Sequence, residues 1–285
     1  MHEETELLVK AVEGLKQEPN YIKDYIFPVA SALFISVLGA GIAFFALRHQ
    51  EEVQFEKEKM NNANKWTLKI EEARASLIAI KGNYSGQLHS DPFQRISAIP
   101  TILFHAQPIA EDYQDLSFIV PKEGQESEKW SKITLIRAMV SNYNYILKLW
   151  EQRNDLNQAF KEKLLQAHGN NAHMTLSIND VIQAAGRADV VILIDLNERV
   201  IKLTDDLIRE TDDFLSKFPE CAKSKIKYKR LKKYGSILTF SNNENKKLLE
   251  LIERSPEVDF TSVEDLFGST AEEINKRHET GYEQI

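Results

Sequence analysis

The stretch YIFPVASALFISVLGAGIAFFAL, residues 25–47, constrains the whole chain. Its only ionisable side chain is the phenol of Tyr25, and as an α-helix it would be about 35 Å long, enough to cross the hydrocarbon core of a bilayer. After Arg48 the sequence is charged, with no second uncharged run of about 20 residues. The pattern predicts one transmembrane helix over 25–48, a short polar tail before it (1–24) and a water-facing body after it.

A cleaved secretory signal is the alternative explanation for this stretch, because Gly41 and Ala43 form a small-x-small pair after an apolar run. We favour retention, since the preceding segment is acidic and the run exceeds the roughly 7 to 15 residues of a signal core. Basic residues are slightly more frequent after the stretch than before it: Lys10, Lys16 and Lys23 precede it, and Arg48, Lys57, Lys59 and Lys65 follow it. This bias predicts a cytoplasmic body and a tail outside the inner cell membrane.

Small residues recur along one face of the predicted span. They are Ala32, Ser36, Gly39, Ala40 and Ala43. Such a face lets another transmembrane helix approach closely, so it predicts self-association in the bilayer. Small residues are also common in spans that do not associate, and that simpler explanation stays open.

The water-facing part carries the apolar periodicity of long helices, and we predict an all-α fold. Residues 49–84 form a helical stalk that continues the transmembrane helix. Its apolar residues alternate at four- and three-residue spacing and share one helix face; they are Trp66, Ile70, Ala73, Leu77, Ile80 and Tyr84. A proline-interrupted connector follows over 85–126, in which Asp91 and Pro92 are typical of a helix start.

A helical bundle is predicted over 85–218, with two long helices at about 126–168 and 179–217. The first has an apolar seam made of Ile133, Ile136, Val140, Tyr143, Leu147 and Trp150. Because the connection between them is short, the two helices should be antiparallel neighbours, and Phe218-Pro219 should end the pair. Small helices are expected in 219–285, one near 244–254 and two with capping-box patterns, Thr261 to Glu264 and Ser269 to Glu272.

A basic stretch opens the C-terminal region, and its cations are Lys223, Lys225, Lys227, Lys229, Arg230, Lys232 and Lys233. Near a membrane they would meet anionic lipid headgroups, where each cation adds about 1 kcal/mol of attraction. Nucleic acid, with Tyr228 and Tyr234 for stacking, is the weaker interpretation. The simplest alternative is a solvated face balanced by acidic residues of the preceding helix, namely Asp205, Asp206, Glu210, Asp212 and Asp213.

The sequence contains no recognisable catalytic or metal-binding motif. The histidines are scattered, and Cys221 is the only cysteine, which excludes an intrachain disulfide. The adjacent acids Asp205 and Asp206 are interpreted as solvated, because neighbouring residues of a helix point in different directions. We therefore expect no cofactor, no metal and no enzymatic activity, although a site assembled from scattered residues stays open.

These patterns favour an interaction or signalling protein that is anchored by one span, oligomerises, and presents a cytoplasmic helical body to a protein partner. The alternative is an effector that perturbs the membrane, for example in bacterial defence, after oligomerising through its transmembrane helix. An uncharged span is a poor pore lining, which weighs against the effector.

Overall fold

The computed structural model describes residues 2–15, 21–121, 124, 127–169, 176–227, 229, 231, 233–241 and 246–282. These residues form helices and irregular connections, and none of them lies in a β-strand. The predicted all-α fold is therefore confirmed. The chain divides into two compact units, Met1–Phe55 and Glu56–Ile285.

The first unit contains α1 (His2–Leu15), a π-helical turn at Ile22–Ile26 and the beginning of α2 (Phe27–Gly82). The tail, expected from its composition to be polar, thus includes a helix. Pro28 follows the π-helical turn, and the Ser31 hydroxyl donates a hydrogen bond to the Pro28 carbonyl oxygen at 3.0 Å. Proline has no amide hydrogen to donate to the preceding turn, and the π-helical turn at Ile22–Ile26 is a place where the regular hydrogen-bond pattern of the α-helix is already interrupted.

Large apolar side chains are exposed all around the first part of α2. Phe34 is 63% exposed, Leu38 49% and Phe45 71%. Among the described residues, one helix is long and apolar enough to cross a membrane, and it runs from Ile22 to Gly82 with its apolar window entirely unburied. A helix that is apolar on every side and has no protein cover is typical of a membrane span.

The second unit is built around three long helices: the rest of α2, α4 (Ile133–His168) and α6 (Arg187–Ser224). Helices α4 and α6 are antiparallel, as predicted: Trp150 donates to Thr204 at 3.0 Å, whereas Arg153, further along α4, donates to Asn197, which is earlier in α6. Helix α2 is also antiparallel to α6, because Arg74 pairs with Asp212 and Lys81 with Asp205.

The apolar seams predicted from periodicity lie in the core. All six apolar residues of the α2 stripe are at most 2% exposed, so this part of α2 packs in the second unit. The seam of α4 is buried as well, apart from the half-buried Ile133 at its first turn. Helix α3 (Pro92–Ala98) begins as predicted, since the Asp91 carboxylate accepts a hydrogen bond from the Phe93 amide and Pro92 occupies the first turn.

The predicted helix from 179 to 217 is wrong in two respects. It is interrupted at Gly186, whose φ of +92° is unsuited to a helix, so α5 (Ile178–Ala185) and α6 are separate. Helix α6 also continues through Pro219 to Ser224. Phe218 stacks on Phe214 at 4.4 Å between ring centroids, and Cys221 and Ala222 are buried. Packing of this last turn therefore outweighs the cost of the proline.

Short elements complete the fold. They are 3₁₀ turns at Tyr113–Ile119, Lys129–Ser131 and Phe260–Val263, and helices α7 (Lys246–Ile252), α8 (Glu264–Phe267) and α9 (Ala271–Arg277). Helix α7 confirms the short helix predicted near 244–254. Both predicted capping boxes are wrong: Asp259 caps the turn that contains Thr261, and the box of α9 is formed by Thr270 and Glu273, one residue later than expected.

Candidate functional site

The basic segment, defined here as the described residues 223–227, 229, 231 and 233–238, packs on the first turns of α2 within the second unit. The Glu56 carboxylate accepts a hydrogen bond from the Lys227 amide at 2.7 Å. The Asn64 side chain binds the main chain twice, donating to the Ser236 carbonyl at 3.0 Å and accepting from the Leu238 amide at 2.9 Å. These contacts hold the main chain of Lys227, Ser236 and Leu238 against α2.

Apolar and basic residues of the segment separate onto opposite sides. Ile226, Leu231 and Ile237 are at most 7% exposed and belong to the core. The side chains of Lys227, Lys229 and Lys233 are exposed. Lys57 of α2 lies over the Tyr234 ring at 5.7 Å from its centroid and adds a further cation beside them. The segment therefore presents a cationic surface.

Five of the seven predicted cations are described, and the structure brings them together on this segment. Lys223 lies in the last turn of α6, 3.5 Å from Glu220, and Lys225 caps that helix. Arg230 and Lys232, together with Tyr228, lie outside the described residues. Lys227, Lys229 and Lys233 form no ion pair with any described residue.

The acidic residues expected to balance the basic stretch bind other cations. Asp212 lies 3.3 Å from Arg74, and Glu210 lies 2.9 Å from Lys129. Asp213 pairs with Lys129 and Lys217, whose ammonium groups are 3.2 and 2.5 Å away. Asp212, Glu210 and Asp213 are therefore paired with cations outside the basic stretch.

Asp205 and Asp206 are buried, at 4% and 2% exposure, so the prediction that they are solvated is wrong. Asp205 lies 2.7 Å from Lys81, and Asp206 lies 2.5 Å from Arg254. Glu198 lies about two turns before Asp205 in α6 and is also buried, 2.6 Å from Arg95 of α3. Burial raises the pKa of Glu198, and the Arg95 guanidinium opposes that rise. Sequence reasoning missed this cluster because its partners are far apart in the chain: 103 residues separate Arg95 from Glu198, and 48 separate Asp206 from Arg254.

The C-terminal segment supplies the remaining partners of the acidic cluster. The Ser255 amide donates to Asp205 at 2.6 Å, and the Thr280 hydroxyl donates to Asp206 at 2.5 Å. A cavity of about 370 Å³ adjoins the cluster. Four acids line this cavity, and three of them, Glu198, Asp205 and Asp206, are bound to cations. We therefore interpret the cluster as a set of ion pairs and hydrogen bonds that holds the C-terminal segment on α6.

Two reactive side chains of the described body, His278 and Cys221, are buried. His278 is buried, stacks on Phe260 at 5.3 Å and lies 3.2 Å from Asp195, whose pKa its hydrogen bond lowers. Burial raises the pKa of the Cys221 thiol to about 11, which keeps it protonated at neutral pH. Within the described part of the chain, no group of three or more His, Cys, Asp or Glu side chains could hold a metal ion.

The small-residue face of the span remains uncovered. Ala32, Ser36, Gly39, Ala40 and Ala43 all lie in α2 and are exposed. A Cβ atom added at Gly39 would meet no atom within 4 Å. The face is therefore sterically open to a second helix.

Comparison of the chain with protein-family models, with curated proteins and with solved structures finds no match.

Proposed function

We propose that this chain is a single-pass inner-membrane protein with a cytoplasmic helical body that works by binding partners and not by catalysis. The observation that carries the proposal is the apolar first part of α2, which is exposed on every side and has no cover within its unit. Leaving about twenty such side chains in water would be strongly unfavourable, whereas lipid solvates them.

The organisation of the body supports a binding role. Its buried acids are paired with Lys81, Arg95 and Arg254 and hold the fold together. Its cationic segment, in contrast, is exposed. A body that is rigidly packed inside and charged at one surface suits an interaction protein.

Membrane fractionation of cells that express the full chain tests the anchor. We expect the protein in the membrane pellet after carbonate extraction, with its N-terminal tag retained and with the mass of the tag added to the 32.7 kDa of the chain. The double variant Leu38→Arg, Ile42→Arg should shift to the supernatant, because each arginine at the centre of a span costs about 2.5 to 3.5 kcal/mol. Leu103→Arg is the control, since Leu103 is 89% exposed in the second unit.

Recovery of the wild type in the supernatant, or loss of the N-terminal tag by cleavage, would contradict the anchor. Orientation needs a separate measurement. In inside-out membrane vesicles we expect protease to degrade the body and to spare the tail, and the reverse pattern would contradict a cytoplasmic body.

A further inference from the structure

We propose that the basic segment, together with Lys57, is a docking surface for the anionic headgroups of the bilayer that holds the span. This inference rests on the proposed function, since it assumes that the apolar part of α2 is in a membrane. The proposed partner of the cationic surface is a lipid surface.

The basic segment carries exposed lysines. Lys227, Lys229 and Lys233 are exposed and form no ion pair with a described residue. The acids of α6 that could have neutralised them are bound to Arg74, Lys129 and Lys217. The positive potential of the segment is thus not cancelled by the helix that precedes it, and anions are attracted to it.

The described main chain of the segment is held in place on both sides of its exposed lysines. Its main chain is held by Glu56 and Asn64, and its apolar side chains enter the core. The cations consequently project from an ordered surface. An ordered surface binds anions with less loss of conformational entropy than a flexible basic tail.

The chain connects the basic segment's binding site on α2 to the span through a short link. Glu56, which holds the segment, is separated from the last apolar residue of the span, Leu47, by only eight residues. Even fully extended, this link reaches no further than about 30 Å. A short link keeps the headgroups at a high effective concentration around the segment, and each cation near an anionic surface strengthens the attraction about 5-fold.

Nucleic acid fits the same observations less well. Stacking needs an accessible aromatic face, and the Lys57 ammonium group lies over the Tyr234 ring at 5.7 Å from its centroid, so a base stacking on that face would have to displace a cation.

The experiment uses the full chain in nanodiscs. Cys221→Ser removes the native thiol, and Ser236→Cys places a fluorescent label in the segment, where Ser236 is exposed. Quenching by a spin-labelled headgroup is compared between phosphatidylcholine discs and discs with about 30% phosphatidylserine. We expect stronger quenching with phosphatidylserine and its loss when salt is raised from about 0.1 to about 1 M, since the Debye length falls from about 10 to about 3 Å.

Two charge-reversal variants provide the matched comparison. Lys227→Glu, Lys229→Glu should reduce the docking equilibrium at least about 25-fold, by the loss of two cations. Lys148→Glu, Lys276→Glu changes the net charge equally at exposed positions away from the segment and should quench like the parent. Circular dichroism shows whether each variant is folded, and a folded double variant that docks normally overturns the proposal.

Other outcomes also decide the matter. Equal quenching in both kinds of disc would refute the lipid surface while leaving the anchor intact. A chain that fails to enter discs and stays in the supernatant would instead refute the proposed function. A label that responds to single-stranded DNA but not to phosphatidylserine would make the segment a nucleic-acid site and overturn the lipid assignment.

Discussion

The guanidinium of Arg153 is buried, with 0% exposure, and is bound mainly by main-chain oxygens. It donates to the carbonyls of Ile99 and Pro100 at 2.8 Å and to the Asn197 side chain at 3.2 Å. Because α3 ends just before these carbonyls, they lack intrahelical donors, and a cation at a helix C-terminus is favourable. Burial lowers the Arg153 pKa to about 10, so the group is still charged at neutral pH. One side chain thereby joins α4, α6 and the end of α3.

Replacement of this residue should therefore be costly. We expect Arg153→Ala to lower the free energy of unfolding by about 3 kcal/mol, since it leaves buried carbonyl groups without donors and a cavity beside them. Thermal unfolding of the full chain in detergent, followed by circular dichroism, measures the effect as a Tm decrease of about 6 to 12 °C. Lys217→Ala is the control: this side chain is 67% exposed, and its loss should cost at most about 0.5 kcal/mol. Equal stability of the two variants would contradict the role assigned to Arg153.

Helix ends are where local and tertiary effects compete. The cap of α3 was predictable, because Asp91 and Pro92 act on their own first turn. Helix α6 continues through Pro219 because Phe218 and Ala222 are buried by other elements, which no pattern within the helix reveals. The seams of α2 and α4 were predictable for the same reason as the cap: periodicity is a property of one helix alone.

The break at Gly186 gives a direct test at this scale. Gly186 adopts φ +92° and ψ 141°, a conformation that side chains with a Cβ atom rarely adopt. We expect Gly186→Ala to destabilise the chain by about 1 to 3 kcal/mol, although a Cβ atom there would meet nothing within 4 Å. Gly82→Ala, the same change at a helical glycine with open space around it, should instead stabilise by up to about 1 kcal/mol.

Chemical denaturation midpoints of the two alanine variants, measured side by side, show whether alanine at position 186 strains the backbone. If Gly186→Ala stabilises as much as Gly82→Ala, the two helices can join across residue 186, and the single helix expected from periodicity would be accessible after all. Opposite signs would support a fixed boundary between α5 and α6.

For the whole molecule, the sequence showed where charged and uncharged segments lie but not which charged residues pair with each other. The uncharged span and the basic stretch are continuous in sequence and were both identified as segments. The partners of the acidic residues were not, because Asp205, Asp206 and Asp212 are paired with residues from α2 and the C-terminal segment. Only the folded chain shows that these acids are paired with cations outside the basic segment.

Self-association through the span is the remaining prediction for the whole molecule. Gly39 lies on the small-residue face, and Gly41 lies about 200° around the helix, on the opposite side. Neither would contact another atom through an added Cβ atom, so each tolerates a larger side chain within the monomer.

We expect Gly39→Leu to abolish lysine-reactive crosslinking of the full chain in native membranes, because leucine would hold two helices apart at their closest approach. Gly41→Leu adds the same volume on the far side and should crosslink like the wild type. Loss of crosslinking in both variants, or in neither, would show that this face does not mediate association.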